Sequence, residues 1–353
     1  MLTLDNIKID SKPDFQRFLK VLKRTGKPDR VPFYELFSNI HEQVVGDKVK
    51  KSECKDEAEY LYKLRSFYNK RLGYDYLEVF SPYYLPSAAH KKSDEGRSFT
   101  QAGDSMVSTM EQFEKYPWPD LNAIKWDNFK RAGDYLPEGM KCIAMSPGGI
   151  EEAVILNIMG YEQVCTAMYE DPALLKKVFD KVGETMEYLF KGYVSYDFVG
   201  AVIISDDLGF KTQTMLPPKS LHEYVFPWYK RLIKIAHDAG RPVILHSCGN
   251  LKEIYEDLIT MGIDAKHSYE DVIMPVWEFK KTYGNRITAL GGFDVDKICR
   301  LTEPEVRKHA RFIVDNAAKE GGYAMGTGNS VANYVNIQNF LAMLEETFNY
   351  GKY

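Results

Sequence analysis

The stretch Phe198-Val-Gly-Ala-Val-Ile-Ile-Ser205-Asp206-Asp207, followed by a helical segment over 218–239 and then Pro242-Val-Ile-Leu-His246-Ser-Cys248-Gly249-Asn250, decides the fold. A continuous apolar run of strand length that ends in carboxylates, a segment with helical apolar spacing, and a second apolar run that ends in an imidazole and a thiol form a β-α-β unit with both strands buried. The same alternation recurs outward from this unit. Strands are expected at 31–36, 74–80, 142–146, 198–205, 242–246, 264–268, 286–290 and 322–326, with helices at 172–193, 218–239, 251–261, 274–283, 303–319 and 335–347. Asp171 before Pro172, and Thr302 before Glu303-Pro304, have the form of helix starts with proline in the first turn.

Eight β-then-α units favour an α/β fold of (β/α)8 barrel type, a TIM barrel, over an open doubly wound sheet. No linker or repeat divides the 353 residues, so one domain over 1–353 is expected, with an elaborated N-terminal region. Residues 81–127, rich in proline and aromatics, stand out as an insertion after the second strand, on the face where barrels bind substrates.

The charge balance of 46 Lys+Arg against 50 Asp+Glu, a net −4, argues against a nucleic-acid or anionic-membrane partner. The N-terminus lacks the apolar core of a signal peptide, and no apolar run is long enough to span a bilayer, so a cytoplasmic location is expected. Five widely spaced cysteines do not fit a secreted disulfide framework. A homo-oligomer is compatible with this composition.

Barrel enzymes place their chemistry at the carboxyl ends of the strands. Here those ends carry Glu35, Glu78, Asp206-Asp207, His246-Ser-Cys248, His267 with Glu270, Gly291-Gly-Phe-Asp294 and Thr327-Gly-Asn329. Residues i and i+2 of an extended segment point to one side, so His246 and Cys248 converge, and zinc prefers such nitrogen and sulfur ligands. His267, Glu270, Asp207 and Glu35 are candidates for a third ligand, His267 standing at the corresponding height on the next strand. Paired carboxylates can donate a proton when crowding raises the pKa of one, and one of Asp206 and Asp207 is expected to serve as a loop cap. Gly326-Thr-Gly328-Asn-Ser-Val331 is not a dinucleotide fingerprint, because its third position is Val331 and no acidic residue follows. It is expected instead to bring Asn329 to the barrel mouth, with Asp294 nearby.

From Lys27-Pro-Asp-Arg30-Val-Pro32 onward the chain resembles the uroporphyrinogen decarboxylase superfamily, in particular its corrinoid-dependent methyltransferase branch. The resemblance is carried by Asp206-Asp207-Leu-Gly, by Leu216-Pro-Pro-Lys and Tyr224-Val-Phe-Pro227, by His246-Ser-Cys248-Gly249 and by Gly291-Gly-Phe-Asp294. It implies a (β/α)8 barrel with zinc on His246 and Cys248. The thiol-methylating members carry a further cysteine in a Pro-Gly-Cys-Gly turn, where this chain has Met325-Gly-Thr327-Gly. The decarboxylases carry an N-terminal arginine-rich segment, where this chain has Tyr34-Glu-Leu-Phe-Ser-Asn, so porphyrin decarboxylation is disfavoured.

The resemblance implies a methyltransferase that moves a methyl group from a small methoxylated, aromatic donor to the cobalt of a corrinoid protein, an O-demethylase component. Zinc would be held by His246, Cys248 and His267. Asp207, Glu35 and Glu270 are the expected acids, and Asn329 and Asp294 the residues on the cofactor side. Methyl transfer from a methylated corrinoid to a thiol, and a metal-free decarboxylase, are the alternatives.

Overall fold

The computed structural model describes residues 1–87 and 105–353. Among them seven parallel strands lie side by side in chain order: β1 Tyr76–Phe80, β2 Lys141–Met145, β3 Val199–Ser205, β4 Val243–His246, β5 Ala265–His267, β6 Thr288–Leu290 and β7 Tyr323–Ala324. They curl into a barrel whose strands are buried on both faces, as apolar runs without alternation require.

The first expected strand, at 31–36, forms no ladder of its own. Phe33 makes a single parallel bridge to Met325, with the Tyr34 N–H donating to the Met325 carbonyl at 2.8 Å and the Met325 N–H to the Pro32 carbonyl at 2.9 Å. Towards β1 the seam is closed by a side chain. The Tyr76 phenol accepts the Glu35 N–H and donates to the Glu35 carbonyl, both at 2.8 Å. Pro32 offers no N–H, and the phenol occupies the place a ladder pair would take, so the segment completes the barrel without counting as a strand.

The helix Phe15–Leu22 lies across the amino end, where Asp14 accepts the Gln16 N–H. The Thr288 hydroxyl at the start of β6 donates to the Val21 carbonyl at 2.8 Å, and Arg24 donates to the Asp264 carbonyl just ahead of β5. Phe18 stacks on Tyr34 with ring centroids 6.0 Å apart, and Tyr34 meets the ring of His267 edge-on at 5.1 Å. A column of buried rings therefore runs up the barrel from its plugged end.

The expected helix starts at Asp171 and Thr302 form as capped ends: Asp171 accepts the Leu174 N–H at 3.0 Å, and Thr302 and Glu305 complete a capping box. The helix expected from 251 begins at Tyr255, because Asn250 accepts the Lys252 N–H and holds the preceding residues in a turn. Of the insertion at 81–127, residues 88–104 lie outside the described residues. Its flanks rest on the helical segment 150–159 that follows β2, through Asn157 donating to the Leu85 carbonyl and the Met106 N–H donating to the Ile158 carbonyl. Among the described residues no helix is long and apolar enough to cross a membrane.

Candidate metal centre

Two adjacent aspartates follow β3, and the chain turns them to different tasks. Asp206 is fully buried and accepts the N–H groups of Ile150, Glu151 and Glu152 at 2.8, 3.1 and 2.7 Å, together with the Tyr229 hydroxyl at 2.8 Å. It caps the helix after β2 from a neighbouring strand, satisfying donors that a helix start leaves free. Gly149 makes room for it, since a Cβ there would fall 1.9 Å from the Asp206 carboxyl carbon. Burial pushes the Asp206 carboxyl up to about 6 against these donors.

Asp207 points towards β4. Its Oδ1 accepts the Cys248 N–H at 2.9 Å and lies 3.7 Å from Nε2 of His246. The Cys248 Sγ lies 3.7 Å from the same nitrogen. The loops after β3 and β4 are locked together to achieve this. Gly249, at φ +78°, packs so tightly that a Cβ would stand 2.2 Å from the Gly209 carbonyl oxygen. One ligand atom each from Asp207, His246 and Cys248 thus lie within 4.8 Å of one another.

His267 stands behind this group. Its Nδ1 is 2.8 Å from Nδ1 of His246 and its Nε2 is 3.1 Å from the Thr327 carbonyl, so both nitrogens are engaged. The ligand atom gathered with those of His246 and Cys248 is an Asp207 oxygen, while the β5 register sets His267, expected as the third ligand, beside His246.

Burial lowers His246 to about 3 and His267 well below its ordinary range, with Lys266 adding to the first and His246 and Lys266 to the second. Burial, then the charge of Asp207, pushes the Cys248 thiol up to about 12. An unprotonated imidazole nitrogen, a thiol that needs a positive neighbour to ionise and a carboxylate are a donor set that fits a divalent cation of zinc type.

The other expected residues lie around the centre. Glu35 is buried under the turn after β7, where Oε1 accepts the Thr327 N–H at 2.9 Å and Oε2 meets the Thr327 hydroxyl. That hydroxyl also meets the Asn329 carbonyl, which can only accept. A hydroxyl has one proton, so Glu35 supplies the other, in keeping with burial raising it to about 8. Asn329 donates to Cys248 Sγ at 3.2 Å. Asp294 is occupied as a cap, accepting the Asp296 N–H at 2.9 Å and the Asp271 N–H at 3.1 Å. Glu270 is half-buried where the loop after β5 turns, its carbonyl accepting the Ile273 and Met274 N–H groups.

Three groups were not anticipated. Lys266 on β5 is buried, lies 4.2 Å over the Tyr269 ring, donates to the Ser268 carbonyl, and is lowered to about 8 by burial. Glu151 is fully buried and neither of its oxygens has a hydrogen-bond partner. Glu152 is raised to about 8 by burial and by the charges of Asp207 and Asp206. Lysine and glutamate are ordinarily exposed, and nothing in their local spacing marks Lys266 and Glu151 as buried or Glu152 as half-buried.

The family model for uroporphyrinogen decarboxylase (URO-D) matches residues 14–350. A methylated-thiol–coenzyme M methyltransferase of Methanosarcina mazei is 30% identical over 94 residues, 27% of this chain and 24% of that protein. This local match spans about a quarter of the relative's length. A solved structure described as a methyltransferase from Methanosarcina mazei superposes with a TM-score of 0.70 at 18% identity, covering 94% of this chain and 97% of the other, a likeness of fold.

Proposed function

The chain belongs to the uroporphyrinogen decarboxylase family, and from that premise we propose that it is a methyltransferase that transfers a methyl group between a small methylated compound and the corrinoid of a partner protein at a centre made by Asp207, His246 and Cys248. The observation that carries this reading is the convergence of carboxylate, imidazole and thiol at the carboxyl end of the barrel. The decarboxylase alternative is disfavoured by the segment after Pro32, where Glu35 is buried under Thr327 and no arginine is present to hold substrate carboxylates.

A zinc-type ion held by these three residues would act as a Lewis acid on the heteroatom that leaves the methyl group. The remaining work falls to the chain. Asp207 holds the Cys248 backbone through its N–H, and Asn329 donates to the sulfur, so the thiolate is fixed on two sides. Glu152, whose carboxyl burial and the charges of Asp207 and Asp206 raise to about 8, is the group we assign to protonate a leaving oxygen. The aromatic flanks of the insertion, with Tyr116 and Trp118 4.4 Å apart and the Tyr116 hydroxyl donating to the Pro86 carbonyl in the segment after β1, would shield the donor from water.

An oxygen in the donor set where thiol-methylating relatives have a second sulfur makes the centre harder, and this favours an oxygen-bound methyl group, as in a methoxylated aromatic. A second reading, with a methylated thiol as the compound, is favoured by the printed activity of the Methanosarcina relative. The test is a parallel panel of methoxybenzenes and methyl thioethers with reduced corrinoid protein under anaerobic conditions, followed by the visible absorbance of the corrinoid. Methylation by the ethers supports the first reading, methylation by the thioethers alone the second. A metal-loaded protein that methylates corrinoid with neither, and does not demethylate the methylated corrinoid with a thiol, contradicts both.

A further inference from the structure

The metal reading above leaves open why His246 should present Nε2, and not Nδ1, to the centre. His267 Nε2 lies 3.1 Å from the Thr327 carbonyl oxygen, which can only accept, so that nitrogen carries a proton. Both rings are buried, and no carboxylate is in hydrogen-bond contact with either to offset the cost of a buried positive charge, so His267 is held neutral with its one proton on Nε2. Its Nδ1 is then an acceptor. The partner at 2.8 Å, Nδ1 of His246, must donate, and Nε2 of His246 is left with a free lone pair directed at Cys248 Sγ and Asp207 Oδ1.

We infer that His267 is a positioning residue that locks His246 in the Nδ1–H tautomer, and that Thr327 anchors two of the three ligands of the centre: His246 through His267, and Cys248 through Asn329. Thr327 is fully buried and all of its polar groups are engaged. Its carbonyl accepts from His267, its N–H donates to Glu35, and its hydroxyl donates to the Asn329 carbonyl, whose side-chain amide reaches Cys248 Sγ at 3.2 Å. The His267 ring cannot rotate away: Tyr34 meets it edge-on at 5.1 Å, and a Cβ at Gly291 would stand 2.8 Å from its Cδ2. Residues behind a metal-bound histidine typically change metal affinity by about 10–100-fold. Thr327 would thus serve the centre through its backbone and hydroxyl, without touching the metal.

This inference deepens the metal reading, and its first test does not need the metal. In metal-free protein with 15N-labelled histidine, long-range 1H–15N spectra report which ring nitrogen carries the proton. The inference expects His246 protonated on Nδ1 and His267 on Nε2, and a His246 protonated on Nε2 overturns it. Zinc affinity by competition with a chromophoric chelator then separates the two claims. His267→Leu, which has no acceptor, should weaken binding about 10–100-fold, whereas His267→Asn, whose amide oxygen can still accept, should stay within a few-fold of wild type. Leu binding as tightly as wild type also overturns the inference. Wild-type protein that takes up no zinc overturns the metal reading, while the ring-proton pattern still decides this one. If His267→Leu does not fold, the wild-type spectra decide alone.

Discussion

At the amino end of the barrel, Asp75 sits between Arg17 at 2.5 Å and Arg30 at 3.7 Å, accepts the Asp14 N–H at 2.9 Å, and shares Arg17 with Asp29. At the carboxyl end the buried ionisable groups are Glu35, Glu78, Glu151, Asp206, His246, His267 and Lys266, and carboxyls outnumber cations. Burial raises Asp75 to about 6 between its arginines and Asp206 to about 6 among its donors, whereas Glu35 and Glu152 rise to about 8 and Glu151 is pushed well above its ordinary range. Paired charges at one end hold the fold together. On the function proposed above, the groups held away from their ordinary protonation states at the other end are the ones available for chemistry, at the end where barrels place their sites.

The comparison breaks most directly at the centre itself. Cys248→Ser should lower turnover by about 10³-fold or more, equivalent to about 4 kcal/mol of barrier, with the melting temperature within a few degrees of wild type. A large fall in melting temperature would mean that the carboxyl end, too, is built for stability.

Asp75→Asn is the converse. It leaves Arg30 buried without its counter-charge and Arg17 with Asp29 alone, and should destabilise the fold by about 3–5 kcal/mol in urea titration. Turnover per folded molecule should be unchanged. Loss of activity without loss of stability would erase the distinction between the two ends.

Glu152→Gln sharpens the account of the carboxyl end. If Glu152 delivers the proton, turnover of an ether donor should fall by about 10²-fold, with little change for a donor whose leaving group needs no proton. Equal losses on both would remove it from that role.

The smallest effect lies in pH dependence. Glu35 has a folded value near 8, above its ordinary carboxyl range, so it binds a proton more tightly folded than unfolded. Its contribution is fully present below about 4.5 and is lost as pH rises through about 8. Gln mimics the protonated acid, donating to the Thr327 hydroxyl and accepting its N–H. Glu35→Gln should therefore match wild type near pH 5 and become the more stable protein by pH 8.5, at up to about 1.4 kcal/mol per unit of the shift. A constant deficit at both pH values would show that Glu35 is ionised in the fold.

The barrel was legible because buried parallel strands leave continuous apolar runs, and Asp171 and Thr302 carry their caps in the local sequence. The segment at 31–36 differs because a phenol from β1, distant in sequence, replaces its ladder bonds. The i, i+2 spacing of His246 and Cys248 made their approach readable, and Asp207 stood among the candidates. The separate roles of Asp206 and Asp207 depend on contacts with 150–152, which no local pattern encodes. The position of His267 behind His246 depends on β4–β5 register, and that of Glu35 on a turn nearly three hundred residues away, so sequence spacing placed both at the mouth without telling which way they face.

The central claim is that Asp207, His246 and Cys248 form one metal centre with a single thiolate. The direct measurement is the absorbance spectrum of cobalt(II)-substituted protein, titrated to saturation, for wild type and Cys248→Ser. The account predicts one equivalent of cobalt, an intense visible band of low-coordinate geometry and a single near-ultraviolet thiolate-to-metal band that vanishes in Cys248→Ser. No cobalt uptake by folded wild-type protein, or a thiolate band that survives the substitution, would contradict it.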